Sequence, residues 1–284
     1  MSLKGVVCLV TGATRGIGKG IALQLGQEGA TVYITGRTLE ARDGDPVGGS
    51  LKETAAEIES RGGKCIPVQC NHAKDEDVDK VFEKIKSEQS GRIDILVNNA
   101  YAAVSAISDN MGKPFWEQPI DVWDTVNNVG LRNHYRCSVH AAQMMVPRKH
   151  GLIVNISSFG GLRYLFNVAY GIGKEGCDRM AADCAFELRK HNVAFVSLWP
   201  GPVQTEKIMY LLNNDSFDAH VPGNARSAKD IFANGETTEY AGKAIANLYQ
   251  DPKLMNKSGR ILLTADLGSE YGFTDVNGMQ FILF

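Results

Sequence analysis

The chain has 284 residues, of which 44% are hydrophobic and 22% charged, and its formal net charge is −2. This size suffices for one large α/β domain, and the near balance of charge excludes a nucleic-acid-binding surface that depends on bulk positive charge. The six cysteines form no CxxC pair and the six histidines show no ligand spacing, which predicts reduced thiols, a cytoplasmic location and no metal site.

Short apolar segments alternate with amphipathic segments along the chain. Continuously apolar runs predict seven strands buried on both faces, at residues 6–10, 31–35, 64–69, 93–98, 152–157, 194–199 and 260–264. Helical patterns begin at Ile17 and recur at 51–60, 75–89, 121–147, 170–191 and 237–250. This order predicts an α/β fold, with helices on both faces of a doubly wound parallel sheet of about seven strands. No break in composition divides residues 1–284, so we expect a single domain.

Two stretches interrupt the alternation. Residues 40–50 are rich in Gly, Asp and Pro and predict a flexible loop before the second helix. Residues 204–232 form a long excursion after the sixth strand. Because loops of this length in compact domains are often lids or binding loops, we expect this segment to border a substrate site.

A glycine-rich loop, TGATRGIG at 11–18, joins the first strand to the first helix. Gly12, Gly16 and Gly18 would allow a sharp turn, close approach of the backbone to a pyrophosphate and close packing of helix on strand. The N–H groups at the start of the helix favour an anion. The spacing GxxxGxG predicts a dinucleotide site, with a glycine-rich turn that has no ligand as the alternative.

The residues after the second strand indicate which dinucleotide would bind. Gly36 and Arg37 stand where an acidic residue would hold the adenosine ribose hydroxyls of NAD. A second arginine, Arg15, lies within the glycine loop. Two guanidinium groups near this ribose favour the 2′-phosphate of NADP(H) over NAD(H), and two solvated surface arginines are the alternative.

An ordered set of motifs resembles the short-chain dehydrogenase/reductase family over nearly the whole chain. After TGATRGIG at 11–18 come NNA at 98–100, NNVG at 127–130, SS at 157–158, YGIGK at 170–174 and PGPVQT at 200–205. The resemblance implies a Rossmann-type single domain and a dinucleotide-dependent interconversion of carbonyls and alcohols.

The resemblance also implies a set of cofactor-binding residues. They would be Gly12, Thr14, Arg15, Gly16, Ile17, Gly18, Arg37, Asn71, Asn98, Ala100, Tyr170, Lys174, Pro200, Gly201, Val203 and Thr205. Asn71 replaces the Asp that often lies beside the adenine, and its amide can serve as the hydrogen-bonding group. Tyr101 replaces the usual glycine after NNA and would put a bulky ring near the mouth of the site.

The catalytic group implied by the resemblance is Tyr170, Lys174, Ser158 and Asn127. Tyr170 would protonate the substrate oxygen, and Lys174, one helical turn away, would lower the pKa of the phenol. Ser158 would hold the substrate oxygen, and Asn127 would bind a water that links Lys174 to solvent. The family's usual spacing selects Ser157 instead of Ser158. We favour Ser158 from the local pattern S-S-x-x-G, because strand ends fix side-chain direction, and Ser157 stays the alternative.

Apolar and aromatic residues are frequent in the segments expected to rim the substrate pocket. They are Tyr101, Phe115, Trp116, Phe159, Tyr164, Phe166, Met209, Tyr210, Leu211, Leu212 and Phe217. This rim predicts an NADPH-dependent reductase for the carbonyl of hydrophobic ketones or aldehydes, such as steroid-like, quinone or xenobiotic compounds. An NAD-linked alcohol dehydrogenase and a non-catalytic dinucleotide-binding sensor are the alternatives.

The resemblance implies a homodimer or homotetramer, with contacts through the helices at 121–147 and 170–191. No stretch approaches the length needed to span a bilayer. A membrane-associating tail is not evident after "GMQFILF", and association with a membrane, including that of the endoplasmic reticulum, stays open.

Overall fold

A sheet of seven strands forms the centre of the protein. The computed structural model describes residues 2–214 and 227–281. The strands are β1 (Val7–Val10), β2 (Thr31–Gly36), β3 (Lys64–Gln69), β4 (Ile95–Asn98), β5 (Gly151–Ile156), β6 (Val193–Trp199) and β7 (Ile261–Leu263). Their order is β3-β2-β1-β4-β5-β6-β7 and all neighbours in it are parallel. The predicted Rossmann-type α/β sheet in a single domain is therefore confirmed.

Helices cover both faces of the sheet. They are α1 (Gly16–Gln27), α2 (Leu51–Ser60), α3 (Asp75–Glu88), α4 (Val104–Asp109), α5 (Asp121–Asn127), α6 (Asn133–Met145), α7 (Val168–Leu188), α8 (Glu206–Asn213), α9 (Ala228–Ala233), α10 (Tyr240–Gln250) and α11 (Thr264–Tyr271). Among the described residues, no helix is both long and apolar enough to cross a membrane.

The central strand β1 is apolar and buried throughout because each of its faces packs against helices, whereas the outer strands β3 and β7 are only partly buried. Successive side chains of a strand point to opposite faces. In β1, Cys8 and Val10 join a buried cluster with residues of α1, α2 and α10. Val7 and Leu9 join a second cluster, with residues of α3, α6 and α7. The continuous apolar run that predicted a doubly covered strand is thus explained residue by residue.

Two predicted segments have more structure than the sequence indicated. The helical pattern at 121–147 is divided, because a π-helix at Asn128–Arg132 separates α5 from α6. The excursion at 204–232 contains α8 and α9, and its residues 215–226 lie outside the described part of the chain. Both departures lie next to residues predicted to be catalytic or cofactor-binding.

Helices α1 and α10 approach each other closely enough for their backbones to touch. A Cβ atom on Gly20 would overlap the backbone of Thr238, just before α10. A Cβ atom on Gly242 would lie 2.9 Å from the Cα of Ile21. Because backbone cannot move aside as a flexible side chain can, both positions require glycine.

We expect Gly20→Ala to lower the free energy of unfolding by about 1–3 kcal/mol, since the added methyl group forces the two helices apart. Urea unfolding measures this loss. The matched control is Gly176→Ala in α7, where the added Cβ meets only the side chain of Leu131, at 3.0 Å. Equal losses in the two variants would contradict the proposed backbone contact.

Candidate active site

The candidate site lies at the carboxyl ends of β1, β4, β5 and β6. The chain runs outward from β1 to β3 in one direction and from β4 to β7 in the other, so the strand order reverses between β1 and β4. Loops leave a parallel sheet on opposite sides at such a point and open a crevice for a ligand. The glycine loop and the loops after β4, β5 and β6 all reach this edge of the sheet.

The glycine loop is fixed by its contacts with the segment after β4. Gly12 has φ +71°, and a Cβ atom there would lie 2.7 Å from the Cα of Ala100. The side-chain amide of Asn99 donates to the carbonyls of Thr11 and Gly12 at 2.9 and 3.0 Å. Asn99 lies within the NNA motif at 98–100 but is not among the residues that were predicted to bind the cofactor. The side chain of Asn99, just after β4, thus fixes the shape of the glycine loop.

The start of α1 accepts a negative charge in this structure. The N–H of Gly16 donates to Oε2 of Glu206, the first residue of α8, at 2.7 Å. The methyl group of Thr205 lies 3.5 Å from where a Cβ atom on Gly16 would be. A helix N-terminus whose N–H group binds a carboxylate has the hydrogen-bond donors that a pyrophosphate requires. Sequence reasoning selected Thr205 and Gly16 but not Glu206.

Arg15 and Arg37 lie on adjacent loops. The Gly36 backbone is packed so closely on the Thr14 side chain that a Cβ there would lie 2.6 Å from its methyl carbon. Arg15 forms an ion pair with Asp45 at 2.9 Å, and its hydrogen bond lowers the pKa of that carboxyl. Arg37 is exposed. A phosphate bound by Arg15 would compete with Asp45 for its guanidinium group.

Asn71 and Asn98 occupy different environments. Asn71 is half-buried after β3, and its side-chain oxygen accepts from the N–H of Ala73 at 3.1 Å. Asn98 is completely buried, and its amide donates to Ser138 and Asn155, both at 2.9 Å. Asn98 therefore supports the cleft from inside the sheet, whereas Asn71 lies where a ligand can reach it.

The two candidate serines point to different partners. The hydroxyl of Ser157 is buried and donates to the backbone carbonyl of Lys174 at 3.0 Å. The hydroxyl of Ser158 accepts from the N–H of Gly160 at 3.1 Å and hydrogen-bonds to Tyr170, where it lowers the pKa of the phenol. This placement supports Ser158 as the serine beside the reacting group and gives Ser157 a structural contact.

Tyr170 lies among aromatic rings in a tightly packed position. The ring of Phe166 meets it edge-on with centroids 5.0 Å apart, and Tyr101 does so at 6.3 Å. A Cβ atom on Gly160 would overlap the Tyr170 ring. Burial raises the pKa of Tyr170 to about 12, although the Ser158 hydrogen bond acts in the opposite direction. In the protein alone, desolvation of the phenolate is thus the largest effect on this phenol, and the expected lowering of its pKa by Lys174 stays a prediction.

Two contacts fix the position of Lys174, one with a backbone carbonyl and one with the ring of Tyr101, which replaces the usual glycine after NNA. Its ammonium group donates to the carbonyl of Ile156 at 3.0 Å. The same group lies 5.0 Å from the ring centroid of Tyr101 and 5.8 Å from that of Tyr170. Burial lowers the pKa of Lys174. Tyr101 thus covers the lysine by a cation–π contact, which fixes the ammonium group near the phenol.

Asn127 faces the same buried region from the end of α5. Its amide donates weakly to the carbonyl of Ala169 at 3.4 Å. Its side-chain oxygen is buried and has no hydrogen-bond partner among the described residues. A Cβ atom on Gly173 would overlap this oxygen, so α5 and α7 are in close contact here. An unused buried acceptor beside the helix that carries Tyr170 and Lys174 fits a proton path.

The loop at 200–205 closes the site after β6. Val203 is buried and pairs with Glu236 in an isolated parallel bridge. The hydroxyl of Thr205 accepts from the N–H of Ile208 at 3.3 Å and so begins α8. Pro200 and Gly201 are half-buried at the start of this loop. The loop therefore connects the sheet to the helix whose first residue meets the glycine loop.

An apolar surface lies beside Tyr170. Leu211 and Leu212 of α8 are buried and form a cluster with other residues of α8 and with residues of α4, α9 and the segments after α4 and before α7. These neighbours are Val104, Met111, Phe166, Ile208, Met209, Tyr210 and Phe232. Phe115 and Trp116 are 65% and 71% exposed and take no part in this cluster. Phe217 lies outside the described residues. Only some of the predicted rim thus gathers near the phenol.

Comparison with known proteins gives consistent matches. A family model described as short chain dehydrogenase matches residues 6–215. Dehydrogenase/reductase SDR family member 1 of Mus musculus is 50% identical over 276 residues, which cover 97% of this chain and 85% of that protein. The Homo sapiens protein of the same name is 50% identical over 277 residues, with 97% and 85% covered. The span matched by the family model, residues 6–215, contains the glycine loop, Ser158, Tyr170 and Lys174.

A solved structure has the same arrangement of the chain. The crystal structure of a metagenomic short-chain oxidoreductase in complex with NADP is 26% identical and superimposes with a TM-score of 0.70. The superposition covers 93% of this chain and 97% of that chain. The likeness therefore extends over the whole sheet and its helices.

Proposed function

Because the chain belongs to the short-chain dehydrogenase/reductase family, we propose that it is an NADP(H)-dependent reductase of hydrophobic carbonyl compounds. The observation that carries this proposal is the placement of Ser158 against Tyr170, with the Lys174 ammonium group beside the phenol. The glycine loop and its anion-binding helix N-terminus lie at the same edge of the sheet. The proposed dinucleotide site and the proposed proton donor would thus share one cleft.

NADP(H) would supply the hydride. Gly12, Gly16 and Gly18 would hold its pyrophosphate, Arg15 and Arg37 its 2′-phosphate, and Thr205 would lie beside the nicotinamide. Pro200, Gly201 and Val203 would border the nicotinamide, and Asn71 the adenine. The NADP bound to the similar metagenomic oxidoreductase supports this choice, as does the lack of an acidic residue at positions 36 and 37.

Tyr170 is suited to donate a proton in the direction of reduction. A pKa of about 12 keeps the phenol protonated at neutral pH, so the proton is present when negative charge develops on the substrate oxygen. The Ser158 hydroxyl lies beside it and would hold the same oxygen. The ammonium group of Lys174 would stabilise the phenolate as it forms, and the free acceptor of Asn127 would help return a proton from solvent.

The apolar cluster of α8 and Phe166 supports a hydrophobic substrate. Phe166 touches the edge of Tyr170, so a substrate whose carbonyl reaches the phenol would pass along apolar side chains. Steroid-like compounds, quinones and simple aliphatic or aromatic ketones are the candidates.

The predicted homodimer or homotetramer also remains part of this proposal. Apolar side chains on α6 and α7 face outward, with Tyr135 57%, Ile172 48% and Phe186 84% exposed. Such residues favour burial against a second copy. Measurement of the molar mass in solution tests this expectation.

The direct test of the function is NADPH oxidation with a panel of steroids, quinones and simple ketones. We expect Tyr170→Phe to lower kcat by about 100-fold or more, since the variant lacks the proton donor, with Kd for NADPH unchanged within about threefold. Tyr135→Phe is the matched control, because Tyr135 is exposed on α6. Unchanged turnover in Tyr170→Phe would refute the mechanism. If the wild type reduced none of the carbonyl compounds in the panel, the result would favour a dinucleotide sensor.

The two serines allow a paired test. We expect Ser158→Ala to reduce kcat about 10- to 100-fold, because the substrate oxygen loses a hydrogen-bond donor. Ser157→Ala should keep kcat within about threefold and lower the free energy of unfolding by about 1 kcal/mol, since it loses a buried hydrogen bond to the backbone. Steady-state kinetics and urea unfolding measure both effects. The reverse pattern would identify Ser157 as the catalytic serine.

Cofactor preference depends on Arg37. We expect Arg37→Asp to raise Kd for NADPH about 10- to 100-fold, because a carboxylate replaces a phosphate-binding guanidinium, and to keep Kd for NADH within about threefold. Fluorescence titration measures both constants. Arg189→Asp, the same charge change at an exposed arginine after α7, should change neither. Tighter binding of NADH than NADPH by the wild type would instead indicate an NAD-linked alcohol dehydrogenase.

A further inference from the structure

A buried glutamate before α10 holds the 200–205 loop from behind. The N–H of Glu236 donates to the carbonyl of Pro202 at 2.8 Å, and its carbonyl accepts from Gln204 at 2.9 Å. Its side-chain Oε1 accepts from the N–H of Gly201 at 2.9 Å. The backbone and side chain of one residue thus bind three peptide groups, at Gly201, Pro202 and Gln204, of the loop that borders the proposed nicotinamide position.

The carboxyl group of Glu236 is enclosed and incompletely satisfied. The residue is 2% exposed. Besides Gly201, its Oε1 accepts from the hydroxyl of Thr264 at the start of α11. Its Oε2 has no hydrogen-bond partner among the described residues, and within that part of the chain no Lys or Arg forms an ion pair with it. The hydrogen bonds that remain compensate a carboxylate in such a position only poorly for the hydration that it loses on burial.

The described groups that surround the Glu236 carboxyl are either acidic or neutral. From the C-terminal segment, Asp275 raises the pKa of Glu236 by its charge, while it is itself held by the N–H and hydroxyl of Thr237 at 2.8 and 2.6 Å. From α10, Tyr240 faces the same carboxyl; burial raises the pKa of this phenol, and the charge of Glu236 adds to that effect. Thr264 and Gly201 are neutral donors. Burial, the largest cause, raises the pKa of Glu236 to about 7.

We propose that Glu236 is a positioning residue that fixes the 200–205 loop for the cofactor, and that ionisation of its carboxyl group controls how firmly the loop is held. This inference rests on the proposed function, because it assigns the loop to NADP(H). An ionised carboxylate accepts a hydrogen bond more strongly than a neutral carboxyl. The N–H of Gly201, and with it the loop, is therefore held more firmly when Glu236 is charged.

The first experiment follows the protein alone. A glutamate with a folded-state pKa of about 7, above its unfolded value, contributes stability that is full below the unfolded value and is lost as pH rises through about 7. We expect the Tm of the wild type to fall relative to that of Glu236→Gln between pH 5.5 and 8.5. A constant difference in Tm would show that this carboxyl does not titrate in that range and would overturn the proposal.

The second experiment measures Kd for NADPH over the same range of pH. Glu236→Gln keeps an acceptor for Gly201 and resembles the protonated residue, so the ratio of its Kd to that of the wild type should rise from about one at pH 5.5 to about five at pH 8.5. Titration of the NADPH phosphate cancels in this ratio. kcat at saturating NADPH should change less than Kd, because Glu236 does not touch the reacting atoms.

Two further variants separate this role from a general loss of structure. Glu239→Gln is the matched control: Glu239 binds Arg61 at 2.7 Å, away from the loop, and its Kd ratio should not change with pH. Thr264→Val removes a hydrogen bond that lowers the pKa of Glu236, so the transition should move to higher pH. A Kd ratio independent of pH, or the same pH dependence in Glu239→Gln, would overturn the proposal. Failure of the wild type to bind NADPH at any pH would instead refute the proposed function.

Discussion

The close approach of two backbones, at the ends of β1 and β4, is the constraint on which the site depends. Gly12 lies so near Ala100 that no side chain fits between them, and Asn99 ties the turn to β4. Because the turn is tight, α1 begins directly at the cleft and directs its first N–H groups into it. The segment after β4 is thereby also fixed, and it carries Tyr101 over Lys174.

Burial also changes the pKa values of the ionisable groups in the site. It raises the pKa of Tyr170 and lowers that of Lys174, so both groups are driven towards their neutral forms. Asp178, one turn after Lys174, opposes this for the lysine by its negative charge, and its carboxylate is held by Ser197 and by the indole N–H of Trp199. A buried phenol that stays protonated suits reduction, whereas oxidation of an alcohol would first require its ionisation.

Much of this arrangement could be predicted from the sequence, because it follows from local patterns. Apolar runs identified the seven strands, since burial on both faces leaves no polar position in a strand such as β1. The choice of Ser158 over Ser157 stays a prediction, and the structure places the Ser158 hydroxyl on the side of Tyr170 because the end of β5 sets its direction. The sequence could not predict how burial acts on the pKa of Tyr170, because a separation of one helical turn from Lys174 shows proximity but carries no information on desolvation.

The residues that the sequence did not reveal all act through contacts distant along the chain. Glu206 meets Gly16 although the two residues follow strands separated by β4 and β5, and no spacing rule connects a helix that begins after β6 with a turn after β1. A carboxylate and a pyrophosphate cannot share the same N–H without strong repulsion. Occupation of this position by a phosphate therefore requires Glu206 to leave it, and α8 carries Leu211 and Leu212 of the apolar cluster. The start of α8 thus links the anion position of α1 to the apolar surface beside Tyr170.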